Sequence, residues 1–340
     1  INTLEAFPTR YWKEGRVDGW ESISGETLHS MYNVKPHACN RCLLACGRLT
    51  TINEGKYAGL KIEGPEYETI YAFGGLCLIK RLDEIMYLND ICDRLGMDTI
   101  TGGNLAAFAI EASKMGKIKE KIDYGDVDAI SKLLHLIAFR EGIGELLADG
   151  IVRTAEEWGM EDIAIHVKGL EPAGYDPRYF KAMGLAYATS DRGACHLRST
   201  AFRAELAGLI PPEQIEGKAE IFIDFEDRLT LQDALILCRF YRDLYMWDEL
   251  ATIVHMTTGM ETTKEDLRRI ASNISDIARH FNIREGLTKA DDTLPQRLFD
   301  EPLGSRKDTI TKEQLEYMKE DYYRLRGWDA NGIPPKKVLI

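Results

Sequence analysis

A chain of 340 residues, 44% apolar and 29% charged, can bury one large core or two ordinary ones, and two domains are expected. It is too apolar for a disordered chain and has no long uncharged apolar run, which argues against a membrane span. A net charge of −12 with no basic run opposes nucleic acid, whose binding rests on Lys and Arg neutralising phosphates.

The chain opens at Ile1 with no initiator Met, basic segment or apolar leader, and so reads as cut from something longer. Residues 1–60 carry Gly, Pro, Asn and Thr at short intervals and predict mostly loop and short helix. Among them stands Cys39-x-x-Cys42-x-x-x-Cys46. Seven Cys is an odd number, and three so close together suit a metal better than a disulfide framework, which points to a reducing, cytoplasmic compartment. Three thiolates on one loop can fill three corners of a tetrahedral site or bind three irons of a cubane. A structural zinc site and chance core cysteines are the alternatives, although no second paired ligand set of the usual zinc kind is evident. Any fourth ligand comes from elsewhere. Cys238 leads, following Asp233 to Leu237 in a helix-like segment, with Cys77, Cys92 and Cys195 as alternatives.

Helical periodicity then takes over. Leu82, Ile85, Leu88, Cys92 and Leu95 recur at three- and four-residue spacing and predict one buried helical face, which makes Cys92 a core residue. Val127, Ile130, Leu134 and Ile137 predict a second, and Leu267, Ile270, Ile274, Ile277 and Phe281 a third. Thr263 with Asp266 and Thr311 with Gln314 have the spacing of capping boxes, and Gly116, Gly142, Gly159 and Gly327 stand where helices should stop. The architecture is therefore mainly α. Ile163 to Val167, followed by Gly169 and Pro172, is a short strand or linker, which divides the chain into domains 1–165 and 166–340. His196 shares a Gly-containing loop with Asp191, Arg192 and Arg198, partners suited to handling protons. Taken alone, Asp93 and Asp98 read as a solvated helix end, and Glu66 and Glu68 as surface carboxylates.

Five separated segments, in order, resemble the tungsten aldehyde:ferredoxin oxidoreductases. They are Cys39 to Arg48, Glu63-Gly64-Pro65-Glu66-Tyr67-Glu68-Thr69, Asp93 to Thr99, Ala188 to Arg198 and Asp233 to Cys238; the run Tyr322 to Asp329 closes the set. The resemblance implies two multi-helical domains of the family's C-terminal type, without the N-terminal domain that covers the far side of the cofactor. It implies a [4Fe–4S] cluster on Cys39, Cys42, Cys46 and Cys238. It also implies a tungsten (or molybdenum) bis-pterin whose amino groups bond Asp93 and Asp98 of the Asp93-x-x-Gly96-x-Asp98 motif, with Asp233 in a companion motif. That second motif departs from the family where Ile236 replaces Gly, so the loop is expected to approach the pterin less closely. His196 matches the active-site His, and Glu66 and Glu68 both match the active-site Glu without being told apart.

The implied reaction is aldehyde plus water to carboxylic acid, with electrons leaving through the cluster to ferredoxin. Relatives of this kind include dimers, so a homodimer is among the implied states. The chain alone, lacking an N-terminal domain or subunit, is expected to hold the pterin weakly and to be inactive. Two other readings stand beside this one. The first is a tungsten enzyme of the same family with another substrate, such as an aromatic acyl-CoA, since such motifs identify cofactors better than substrates. The second is a metal-binding fragment that needs a partner.

Overall fold

The periodic segments are helices in the computed structural model, which describes residues 1–336. Leu82–Leu95 and Val127–Phe139 bury the positions that carry the period, Cys92 included, except that Leu95 is half-buried. The third face is only partly buried. Along Lys264–Arg284, Leu267 is inside while Ile277 and Phe281 are exposed. Asp276 and Arg279 occupy inward positions there, Asp276 accepting from Trp328 Nε1 at 2.7 Å and Arg279 donating to Asp292 at 3.0 Å. Two polar side chains, each with a buried partner, thus take inward places that apolar spacing would assign to apolar side chains.

Both capping boxes form: the Thr263 and Thr311 side chains accept from the backbones of Asp266 and Gln314, whose side chains return the bond. Gly159 and Gly327 end helices in the left-handed conformation, whereas Gly142 precedes Ile143–Leu147 and the helix before it is closed by Arg140.

Residues 1–60, expected as loop and short helix, hold the short helices Asn2–Leu4, Trp20–Ile23 and Gly25–Met31 and, beyond that expectation, most of a small antiparallel sheet. Its strands are β1 (Asn33–His37), β2 (Gly47–Thr51) and β3 (Lys61–Glu63), in that order. Val34, Thr50 and Ile62 pair across it and turn toward the core, while Lys35, Leu49 and Glu63 form the next row on the opposite face. Strands this short, one holding Pro36 at the sheet edge, leave too few alternations to announce themselves. Ile163 to Val167 is not a strand: a 3₁₀ turn covers Glu161–Ile163, and Val167 makes only an isolated bridge to Leu170.

The chain divides into a first unit of Ile1–Arg178 with Pro295–Thr309 and a second of Tyr179–Leu294 with Ile310–Ile340. The expected division near residue 165 falls inside the first unit. That unit's ends are tied together: Ser305 N–H donates to Glu5 at 2.6 Å, Arg306 to Leu4 O at 2.7 Å and Arg297 to Tyr11 O at 2.9 Å. Among the described residues no helix is long and apolar enough to cross a membrane.

Candidate functional site

In the first unit the three clustered thiols ride on the loop between β1 and β2. Cys42 N–H donates to Cys39 O at 2.9 Å, closing a turn whose third residue, Arg41, is left-handed, as is Ala45 one step before Cys46. Cys39 and Cys46 are exposed, Cys42 half-buried, and none of the three is in a disulfide. Among the described residues no three His, Cys, Asp or Glu side chains converge into a ready metal site. Cys77 and Cys92 are buried, and desolvation pushes both thiols up, Cys92 to about 12, which disfavours the thiolate a metal needs.

The two candidate glutamates separate. Glu66, immediately before the helical turn Tyr67–Thr69, pairs with Arg48 at 2.7 Å at a cleft of 510 Å³ walled by Phe7, Trp20, Leu28 and Ile70. Glu68 turns instead toward Gly174 and is half-buried. Its carboxylate accepts from Gly174 N–H at 2.9 Å and from the Tyr175 side chain, and burial pushes it up to about 7. Gly174 can come so close because it has no side chain: a Cβ there would lie 2.6 Å from the Tyr71 ring. Tyr67 and Tyr71 hydroxyls donate to the carbonyls of Gly174 and Pro172, at 2.6 and 3.0 Å, and fix the same loop.

That loop supplies a residue sequence reasoning missed. Glu171 is buried, accepts from Thr101 Oγ1 at 3.0 Å, and is pushed up to about 7 by burial. A solitary Glu between Leu170 and Pro172 carries no motif, so only the folded loop reveals it. Both raised carboxyls feel Asp98, whose charge adds to the shift of each. Asp93, Gly96 and Asp98 form the corner between two helices. Asp93 lies in the last turn of Leu82–Leu95 and accepts from Asn89 at 2.7 Å, its carboxyl raised by burial and then by Asp90. Gly96 closes that helix at φ 69°, and Asp98 caps Thr99–Lys114 by accepting from Thr101 N–H at 2.8 Å.

The second unit holds His196, Asp233 and Cys238. His196 follows the buried Cys195, whose sulfur accepts from Arg192 Nε and Nη2 at 3.1 and 2.9 Å and from Leu197 N–H at 3.3 Å. Burial lowers His196 to about 4, and Arg192, Arg239 and Arg242 push in the same direction. The imidazole is therefore neutral through ordinary pH. Asp233 ends the helix Lys218–Ala234 and receives Arg198, at 3.0 Å, and Arg239; Arg198 also donates to Asp191 at 2.9 Å. Asp191, Arg198 and Asp233 line a 240 Å³ cavity with Thr230, Arg279 and Tyr322. The helix-like reading of the stretch before Cys238 holds only to Ala234. Beyond it Ile236 is left-handed at φ 58° and 93% exposed, and Cys238 is exposed.

A family described as "Aldehyde ferredoxin oxidoreductase, domains 2 & 3" matches residues 1–340. The tungsten-containing aldehyde ferredoxin oxidoreductase of Pyrococcus furiosus is 34% identical over all of this chain and 57% of its own length; that of Thermococcus kodakarensis is 34% identical over 99% and 57%. An aliphatic sulfonate oxidoreductase WOR-like subunit of P. furiosus is 28% identical over 98% of the chain and 54% of its own length. In fold, the chain resembles the active-site complex BamBC of benzoyl coenzyme A reductase, solved with 1,5-dienoyl-CoA. The TM-score is 0.76 at 20% identity, over 98% of this chain and 56% of that one. The chain thus spans just over half the length of the relatives it matches.

Proposed function

Because the chain belongs to the aldehyde ferredoxin oxidoreductase family, we propose that it forms the cluster-bearing part of a tungsten-pterin enzyme that oxidises aldehydes to carboxylic acids. A [4Fe–4S] cluster, which Cys39, Cys42 and Cys46 would help to hold, would supply one-electron transfer to a ferredoxin. The observation that carries this reading is the display of three thiols, none in a disulfide and two of them exposed, on one hairpin loop.

The donor set fits the cofactors. Soft thiolates at Cys39, Cys42 and Cys46 suit iron–sulfur ligation, and the second unit offers another exposed thiol of the same kind in Cys238. In the second unit Arg239 bonds Asp233 through one nitrogen while its Nη1 is buried without an acceptor among the described residues, a deficit that a hydrogen-bonding ligand relieves. Asp93, Asp98 and Asp233 offer carboxylates to the amino groups of a pterin. When bound, the tungsten-pterin supplies the two-electron chemistry.

The chain's own groups do the rest. Aldehyde plus water gives carboxylic acid, two protons and two electrons. Glu68, with a carboxyl near neutrality, accepts and releases a proton at ordinary pH, while Glu66 stays occupied by Arg48. His196, kept neutral, donates its ring N–H to a substrate carbonyl.

The test is metal analysis with visible spectroscopy on anaerobically purified protein, for this chain and for a version carrying upstream residues. About four irons per cluster, with tungsten or molybdenum retained mainly by the longer protein, supports the reading. Zinc without iron in both defeats it. A second reading keeps the cofactors and changes the substrate: the guanidinium groups around His196 favour an anionic compound, and the sulfonate oxidoreductase is among the similar proteins. Comparing reduction of the visible band by aldehydes and by sulfonates decides between them.

A further inference from the structure

The hairpin that carries the thiols differs in charge from the rest of the chain. The protein has 55 acidic and 43 basic residues, yet from Asn33 to Arg48 there are Lys35, Arg41 and Arg48 and no Asp or Glu. The register places Asn33, Lys35 and His37 of β1 on one sheet face with Lys61 and Glu63 of β3. Each of these is exposed, and the single carboxylate among them, Glu63, is engaged by His37 at 3.1 Å. Arg41 is exposed at the tip, its left-handed backbone helping to form the turn there. Arg48 points to the other face, where it pairs with Glu66. Between Cys42 and Cys46 stand Leu43, 97% exposed, and Leu44, also exposed.

An apolar tip with a cationic flank, on an otherwise anionic protein, has the make-up of an association surface: a desolvated apolar centre with charges at its rim. Repulsion by the rest of the chain and attraction at this hairpin steer an acidic partner to one place. Leu43 is also the residue next to Cys42, so a partner seated at the tip comes within one residue of a proposed cluster ligand.

The geometry points to the outer face and tip of this hairpin as the docking surface for a small acidic electron-carrier protein. Lys35, Arg41 and Lys61 set its approach, and Leu43 and Leu44 form its dry centre. The inference rests on the reading of the loop as a cluster site and adds the place and chemistry of the contact. A strongly acidic one-electron carrier is the only occupant it commits to.

The experiment measures association of the full-length, metal-loaded enzyme with an oxidised bacterial-type ferredoxin of large negative charge, at several salt concentrations. Arg41→Glu and Lys35→Glu are each expected to slow association about ten-fold at low salt and to flatten its salt dependence, while Leu43→Ser speeds dissociation. Lys121→Glu, an exposed control elsewhere in the first unit, leaves binding unchanged. Iron content and the visible spectrum are read for every variant. Unchanged association in Arg41→Glu and Lys35→Glu with iron intact overturns the docking surface alone. Equal loss in Lys121→Glu, or a change in self-association in place of carrier binding, overturns it too. Absence of iron from the unaltered enzyme overturns the cluster reading and the docking surface together.

Discussion

Ile236 holds a conformation that its branched side chain disfavours, at φ 58° with the side chain in solvent. A left-handed L-residue costs about 1–2 kcal/mol, and little packing offsets it here. Ile236→Gly is therefore expected to raise the stability of the second unit by about 0.5–1 kcal/mol, after the added freedom of the unfolded chain is subtracted. A rise in thermal midpoint checks this; a fall would show that the exposed Ile is held by contacts. Glu68 makes a pH prediction. Its folded value, about 7, lies above its ordinary 4.5, so between those values the folded state keeps a proton that the unfolded chain has lost. Its contribution to stability is thus fully present below about 4.5 and is lost as pH rises toward 7. Glu68→Gln should be near neutral at acid pH and stabilising by on the order of 2–3 kcal/mol in mildly alkaline solution. Urea unfolding in the two buffers measures the difference, and an equal effect in both would refute it. The motif that contains Glu68 was legible in the sequence. Its separation from Glu66 was not, because two carboxylates two residues apart at a helix start look alike until the loop at Gly174 closes over one of them.

Corners between elements carry two duties at once. Asp98 is the cap of Thr99–Lys114 and also the last acid of the proposed pterin motif, and the two roles respond differently to substitution. Asn caps as well as Asp but lacks the charge. Asp98→Asn is expected to preserve stability and weaken pterin retention, whereas Asp98→Ala loses both, with about 1 kcal/mol of stability. Unfolding curves and tungsten content, measured together, distinguish the duties. Long periodic helices and their capping boxes were readable because each repeats one rule over several turns. The β1–β2 hairpin escaped, since one five-residue strand holds Pro36, the other opens at Gly47, and it turns a charged face to solvent.

At the scale of the molecule, the first unit depends on a segment far along the chain. Arg297 is buried, donates to Tyr11 O and pairs with Glu111 and Glu301. Arg297→Ala should cost about 1–3 kcal/mol by removing the donor to Tyr11 O, since the buried Glu111 keeps Lys13 at 2.5 Å. Hydrogen exchange ought then to rise in residues 1–17 of the first unit; protection unchanged there would contradict this account. Sequence patterns expected a division near residue 165, because no local signal reports that Pro295–Thr309 returns to an earlier partner.

That return governs how the protein is made. The first unit takes its closing piece from Pro295–Thr309 and the second from the stretch beginning at Ile310. A ribosome that releases the chain from its N-terminus therefore carries the first unit unfinished until Pro295–Thr309 has emerged, with apolar surface waiting for its cover. The first unit can close only after residues 179–294 of the second have been made, so its nascent form needs shelter over that interval.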